Sequence, residues 1–217
     1  MSDSKPSTLR TILWPSLITL AMTITRLVGE LQGWITNESG GAGHLLGISW
    51  LIFVFGAWFG FRLSRNGSSP RLKPAAIWAL VPALAIVGTF AYRMHGVDLK
   101  DTSAAAQEGL MATLEIASMV AGGGAVLALV IWTRLAFTLF AYGLFARAGV
   151  MVVTWLAKDQ GWNTHYTKLG PAGVEKEMAE TLALTSFAQF CLWVPFTVVF
   201  GTLMGCLFAA RAKTKKG

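Results

Sequence analysis

Charged side chains are scarce in this 217-residue chain: Asp, Glu, Lys and Arg together make up 13% of it, about half the share of an ordinary soluble domain. A solvated surface cannot be built from so few, which excludes a water-soluble globule. Only two cysteines occur, Cys191 and Cys206. Fifteen residues apart in one apolar stretch, they would lie about 22 Å apart along a helix, too far to pair, and they read as buried, inert thiols.

Chemical motifs are missing as well. The three histidines, His44, His95 and His165, form no H-E-x-x-H or H-x-x-H spacing, and there is no C-x-x-C. A Walker motif, a G-x-S-x-G elbow, a dinucleotide fingerprint and a c-type haem signature are likewise absent. Nothing here assigns a metal, a cofactor or a catalytic residue, and the reading leans away from an enzyme. An intramembrane acid or base at Glu115 or His165 is the form an enzyme would take.

What the chain has is apolar length. The residues AVILMFWYC supply 54% of it and mean hydropathy is +0.55. Runs long enough to cross a hydrocarbon core of about 30 Å recur from end to end. A span-length window predicts helices over 9–29, 45–63, 75–92, 109–132, 135–156 and 182–209. The expected fold is therefore an all-α membrane protein, a single bundle of six transmembrane helices with short loops.

The basic residues orient it. Lys5, Arg10, Arg62, Arg65, Arg71, Lys73, Arg134, Arg211, Lys213, Lys215 and Lys216, eleven of eighteen, fall on one side. By the positive-inside rule that side is cytoplasmic and holds both termini. A plasma membrane of the bacterial inner-membrane type is the expected location. The net charge of +7 is then a topological signature. The basic residues are spread over loops without an interleaved aromatic platform, which excludes a nucleic-acid partner. The lysine tail is suited to anionic headgroups of the bilayer.

Boundary signals agree with this plan. Asp101, Thr102 and Ser103 are candidate N-caps for the fourth helix, and Gly170-Pro171 followed by Glu175, Glu177 and Glu180 resembles a helix start. The fourth and fifth helices, joined near Thr133-Arg134, should form an antiparallel hairpin. Pro82 and Pro195 are expected to kink their helices. Gly56/Gly60 and Gly201/Gly205 each make a G-x-x-x-G, suited to close packing inside the chain or to a homodimer or membrane-protein partner. The run Gly122-Gly123-Gly124 suggests a tight crossing or a hinge.

Function is most visible in four charges within or at the rim of spans, Arg26, Glu30, Glu115 and Arg147, where charge costs several kcal/mol unless paired or wetted. Arg26 and Glu30, four apart, share a helix face. The hairpin brings Arg147 towards Glu115, and Gln189 can join the same network. Two readings stay open: ion pairs that pin helices, or a wetted, outward-facing cavity for a solute, ion or proton. The 162–166 loop, with Trp162, His165 and Tyr166, is either an interfacial anchor or a lid. Asn37-Glu38-Ser39 is a glycosylation sequon on the same side. These features predict a small transporter or channel-like protein; the alternative is a non-catalytic membrane subunit or assembly factor.

Overall fold

The computed structural model describes residues 8–38, 44–98, 100–169 and 173–213. Lys5, Ser39 of the sequon, Gly170-Pro171, Lys215 and Lys216 lie outside them. The chain is mostly helical: α1 (Thr8–Leu31), α2 (Leu51–Arg65), α3 (Ala75–Met94), α4 (Ala104–Asp159), a two-residue hairpin of β1 (Lys168–Leu169) and β2 (Val174–Glu175), α5 (Met178–Ser186), a π-helical segment over Phe187–Trp193, and α6 (Val194–Lys213). Among the described residues, four helical stretches are long and apolar enough to cross a membrane: Thr8–Leu31, Ala75–Met94, Ala104–Asp159 and Met178–Ala209. Their outward faces carry large apolar side chains, such as Trp14, Leu17 and Ile24 on α1, Trp78, Val81 and Leu84 on α3, and Phe137, Phe145 and Trp155 on α4. Such a belt is what a bilayer solvates.

The 56 residues of α4 are two arms. Trp132, with φ −152° and ψ 82°, is far from helical geometry. Leu110 and Leu114 of the first arm line the same cavity as Arg147 and Val150 of the second. Along an unbroken helix residues 114 and 150 would be about 54 Å apart, so the chain reverses at Trp132, beside the expected Thr133-Arg134 connection. The preceding loop satisfies the break. Arg71 donates its backbone N–H to the Ile131 carbonyl at 2.8 Å, and the Trp132 indole N–H donates to the Ser68 hydroxyl at 2.8 Å. At the other end of α4, Ser103 is the N-cap, accepting from the Ala106 N–H at 3.2 Å.

The core fills the half of the bundle next to that break. Phe55, Phe59, Trp132, Leu135, Leu139 and Tyr142 are buried together, with Tyr142 edge-on to both phenylalanines. The Tyr142 hydroxyl shares a 2.8 Å hydrogen bond with Thr19 of α1, so with the Trp132 indole bound to Ser68 both polar tips named in this cluster are satisfied.

The two G-x-x-x-G motifs pack against each other. A Cβ added to Gly56 would stand 2.6 Å from the Gly201 Cα, and one added to Gly60 would overlap the Gly205 backbone. These faces are thus taken up inside the chain, and a homodimer or other partner cannot use them without unpacking α2 from α6. In the glycine triplet only Gly124 is crowded, against Pro82 and Val199; Gly122 and Gly123 have open space around them.

Three expectations are corrected. The second helix begins at Leu51 rather than at 45: residues 45–50 form turns in which the Leu46 N–H donates to His44 Nδ1 at 3.1 Å and the Trp50 indole donates to the Leu45 carbonyl at 2.9 Å. Of these residues Leu46, Gly47, Ile48 and Ser49 line a cavity, while Leu45 and Trp50 are exposed. The segment before the last helix is not helical at Glu175, which pairs with Lys168 in the β-hairpin; α5 starts at Met178 with Glu180 in its first turn. The last span is interrupted by a π segment in which the Val194 N–H reaches the Gln189 carbonyl, five residues back. Pro195 follows immediately and has no N–H to give, so the ladder slips by one residue there.

Candidate functional site

A cavity of about 440 Å³ opens at the end of the bundle that carries the 160–177 connection. Its mouth is framed by Leu46, Gly47, Lys168 and Leu169, its walls by Ile48, Phe90, Leu110, Leu114, Val150 and Leu184, and its inner end by Arg147, Gln189 and Trp193. The walls are predominantly apolar with a few convergent polar groups, the character of a small-molecule site.

Arg147 comes from the second arm of α4 and is 4% exposed. Its Nη1 donates to Gln189 Oε1 at 3.3 Å, and its guanidinium lies 5.0 Å from the centre of the Trp193 ring. Gln189 and Trp193, four residues apart in the π segment, meet the same arginine. Arg147 Nε is buried without a hydrogen-bond partner. Two turns nearer the mouth on the same arm, Thr154 lines the cavity with its hydroxyl also buried and unpartnered.

The expected Glu115–Arg147 bridge is not formed. Glu115 is exposed and lines a separate shallow depression with Ser118, Met119, Phe187 and Cys191; the face of the first arm that meets Arg147's cavity is that of Leu110, Met111 and Leu114. Among the described residues no salt bridge joins Arg147 to any carboxylate, and no Asp or Glu lines the cavity.

The second predicted pair does form. Arg26 Nε donates to Glu30 Oε1 at 2.8 Å, with both side chains buried. Glu30 also holds the following loop: its Oε2 accepts the His165 backbone N–H at 2.9 Å, while Oε1 lies 2.5 Å from His165 Nδ1. The ring contact is a close approach without an aligned hydrogen bond, since Nδ1 has no partner of good geometry. The Tyr166 hydroxyl donates to the Thr23 carbonyl of α1 at 3.1 Å, and the rings of His165 and Tyr166 lie against each other with centroids 3.8 Å apart.

Arg26, His165 and Tyr166 line the cavity; Trp162 does not, packing instead against the apolar cluster of Leu27, Val150 and Val153. The 162–167 loop is internally braced. Thr167 donates its hydroxyl to the Thr164 carbonyl at 2.8 Å, and both threonines are buried. It is therefore a fixed wall rather than a loose lid. Burial pushes the His165 imidazole below its ordinary value, Glu30 opposing and Arg26 and His44 reinforcing the shift. Burial also drives the Tyr166 phenol up, so that it stays protonated.

Lys168, Thr154 and Trp193 belong to the site without having been predicted. Lys168 donates to the Asn37 carbonyl at 3.2 Å at the mouth. Pro195 was the available signal for Trp193, because a proline without an N–H marks where the preceding turn must be irregular.

The chain matches no family model, no curated protein and no solved structure.

Proposed function

We propose that this chain is a small transporter or channel-like protein of the plasma membrane, of bacterial inner-membrane type, with six spans and both termini cytoplasmic. The parallel seam of α2 and α6, Gly56 against Gly201 and Gly60 against Gly205, favours this count. Two helices of one chain run in the same direction only if an odd number of crossings separates them, and α3 with the two arms of α4 makes three. The contacts Thr19 with Tyr142 and Leu27 with Val150 likewise set α1 parallel to the second arm. The 15 residues of α2 span only about 22 Å, and the turns at 44–50 complete its passage. Arg62, Arg65, Arg71, Lys73 and Arg134 gather at the end where Trp132 reverses the chain, which by the positive-inside rule favours a cytoplasmic assignment for that end and an outward-facing cavity.

The observation that carries the functional reading is Arg147, a buried cation at the inner end of an open cavity with no carboxylate beside it among the described residues. A structural arginine in a membrane pairs with an acid, whereas one that faces a cavity marks a solute path. The subunit or assembly-factor reading drew on the glycine faces, which α2 and α6 already occupy between themselves.

The test is flux in proteoliposomes across a solute panel. The wild-type chain gives solute-dependent flux, and Arg147→Gln abolishes it while the protein still purifies folded. Wild-type flux from that variant overturns the reading.

A further inference from the structure

We infer that the cavity takes an amphipathic organic monoanion, a monocarboxylate with an apolar body, seated with its carboxylate on Arg147 and its body along the apolar walls. The inference rests on the cavity being the solute site proposed above and deepens it by naming the chemistry of the solute.

Charge is the first argument. Arg147, Arg26 and Lys168 all line the cavity and, among the described residues, no acid does. Glu30 offsets Arg26 from behind the wall, which leaves Arg147 uncompensated among the described residues. A guanidinium held in low dielectric without a counter-ion is costly, and a bound anion removes that cost. Cations are disfavoured by the same field.

Geometry supplies the second. Gln189 occupies Nη1 and Trp193 covers one ring-like face of the guanidinium, so its donors are oriented before any ligand arrives. The Nε–H has no partner. A carboxylate, planar and with two acceptor oxygens, matches the edge of a guanidinium with parallel charge-assisted hydrogen bonds. Thr154 adds a second orphaned hydroxyl on the same wall, so the polar atoms left unsatisfied by the protein collect where a ligand would sit.

The walls supply the third. Phe90, Leu110, Leu114, Val150 and Leu184 line the space between Arg147 and the mouth. A small hydrated inorganic anion would leave these surfaces unfilled, whereas an alkyl or aryl body covers them.

The experiment compares four probes on the full-length protein in lipid nanodiscs by thermal unfolding and by competition with radiolabelled octanoate: octanoate, octanol, octyltrimethylammonium and octyl phosphate. Octanoate is expected to raise the unfolding midpoint and to bind at least tenfold more tightly than octanol or the ammonium probe, and Arg147→Gln is expected to erase that preference. Octyl phosphate binding more tightly than octanoate overturns the carboxylate assignment and points to a phosphate head, as on a lipid. Equal binding of octanoate and octanol overturns the anion site outright, and since that comparison uses the wild-type chain it stands even if the variant does not fold. Octanoate binding without flux of any solute overturns transport and leaves this inference standing; flux of a neutral solute without octanoate preference does the reverse.

Discussion

Glu30 of α1 grips His165, 135 residues further along the chain, at two points: its Oε2 accepts the backbone N–H at 2.9 Å and its Oε1 lies 2.5 Å from the imidazole Nδ1. The same Oε1 accepts from Arg26 at 2.8 Å. One buried carboxylate thus ties the end of α1 to the loop that walls the cavity.

Glu30→Gln is expected to destabilise the protein by about 3 kcal/mol, the scale for breaking a buried pair and leaving one charge behind. Thermal unfolding in nanodiscs measures it. An unchanged midpoint would show that Arg26 is compensated elsewhere. The variant also frees the His165 loop, so protease cleavage between Gln160 and Thr167 should accelerate.

The glycines separate into two groups with opposite expectations. Gly60→Val places side-chain atoms in the Gly205 backbone, which cannot yield as a flexible side chain can; overpacking of this kind costs about 2 kcal/mol or more. Gly122→Ala meets nothing within 4 Å and should stabilise the helix, by up to about 1 kcal/mol. Unfolding midpoints moving down and up respectively bear this out, and a destabilised Gly122→Ala would mean that this face is packed against something.

Stability should fall below neutral pH through His165. Burial lowers its pKa in the folded protein from the ordinary 6.5, so on acidification the unfolded chain takes up a proton that the folded one refuses. Stability from this group is full above 6.5, declines as pH drops below that value, and levels off once the lowered native pKa is passed, with a slope of at most about 1.4 kcal/mol per pH unit. Glu30, Arg26, His44 and the Tyr166 phenol are charged or titratable groups around it. Melting curves across this range for wild type and His165→Asn test it: the variant should be flatter, and parallel curves would refute the assignment.

How much of this was legible in the sequence depended on the kind of signal. Apolar length placed α1, α3 and both arms of α4 to within a few residues, because a bilayer sets the required run and charges mark its ends. Residues 45–50 escaped, since Leu45, Leu46, Ile48 and Trp50 are apolar although they lie in turns, and hydropathy does not register backbone direction. Arg26 with Glu30 was readable because both lie on one helix, four apart. Glu115 with Arg147 was not, because that pairing depends on how two arms rotate about their axes. Leu114 faces the cavity, and its neighbour, about 100° around the helix, faces away from it. The grip of Glu30 on His165 had no local signature at all, being a contact between one span and a distant loop.

The seam of α2 and α6 fixes an order of assembly. Its halves, residues 56–60 and 201–205, are separated by most of the chain, so α2 enters the membrane with a bare glycine groove and stays so until the final helix has been made. Because the segment just before α6 also carries Gln189 and Trp193, the same event closes this seam and completes the setting of Arg147. A chain that stalls short of α6 therefore presents two markers of immaturity at once, an open groove and an arginine without its supports, to whatever in the cell disposes of unfinished membrane proteins.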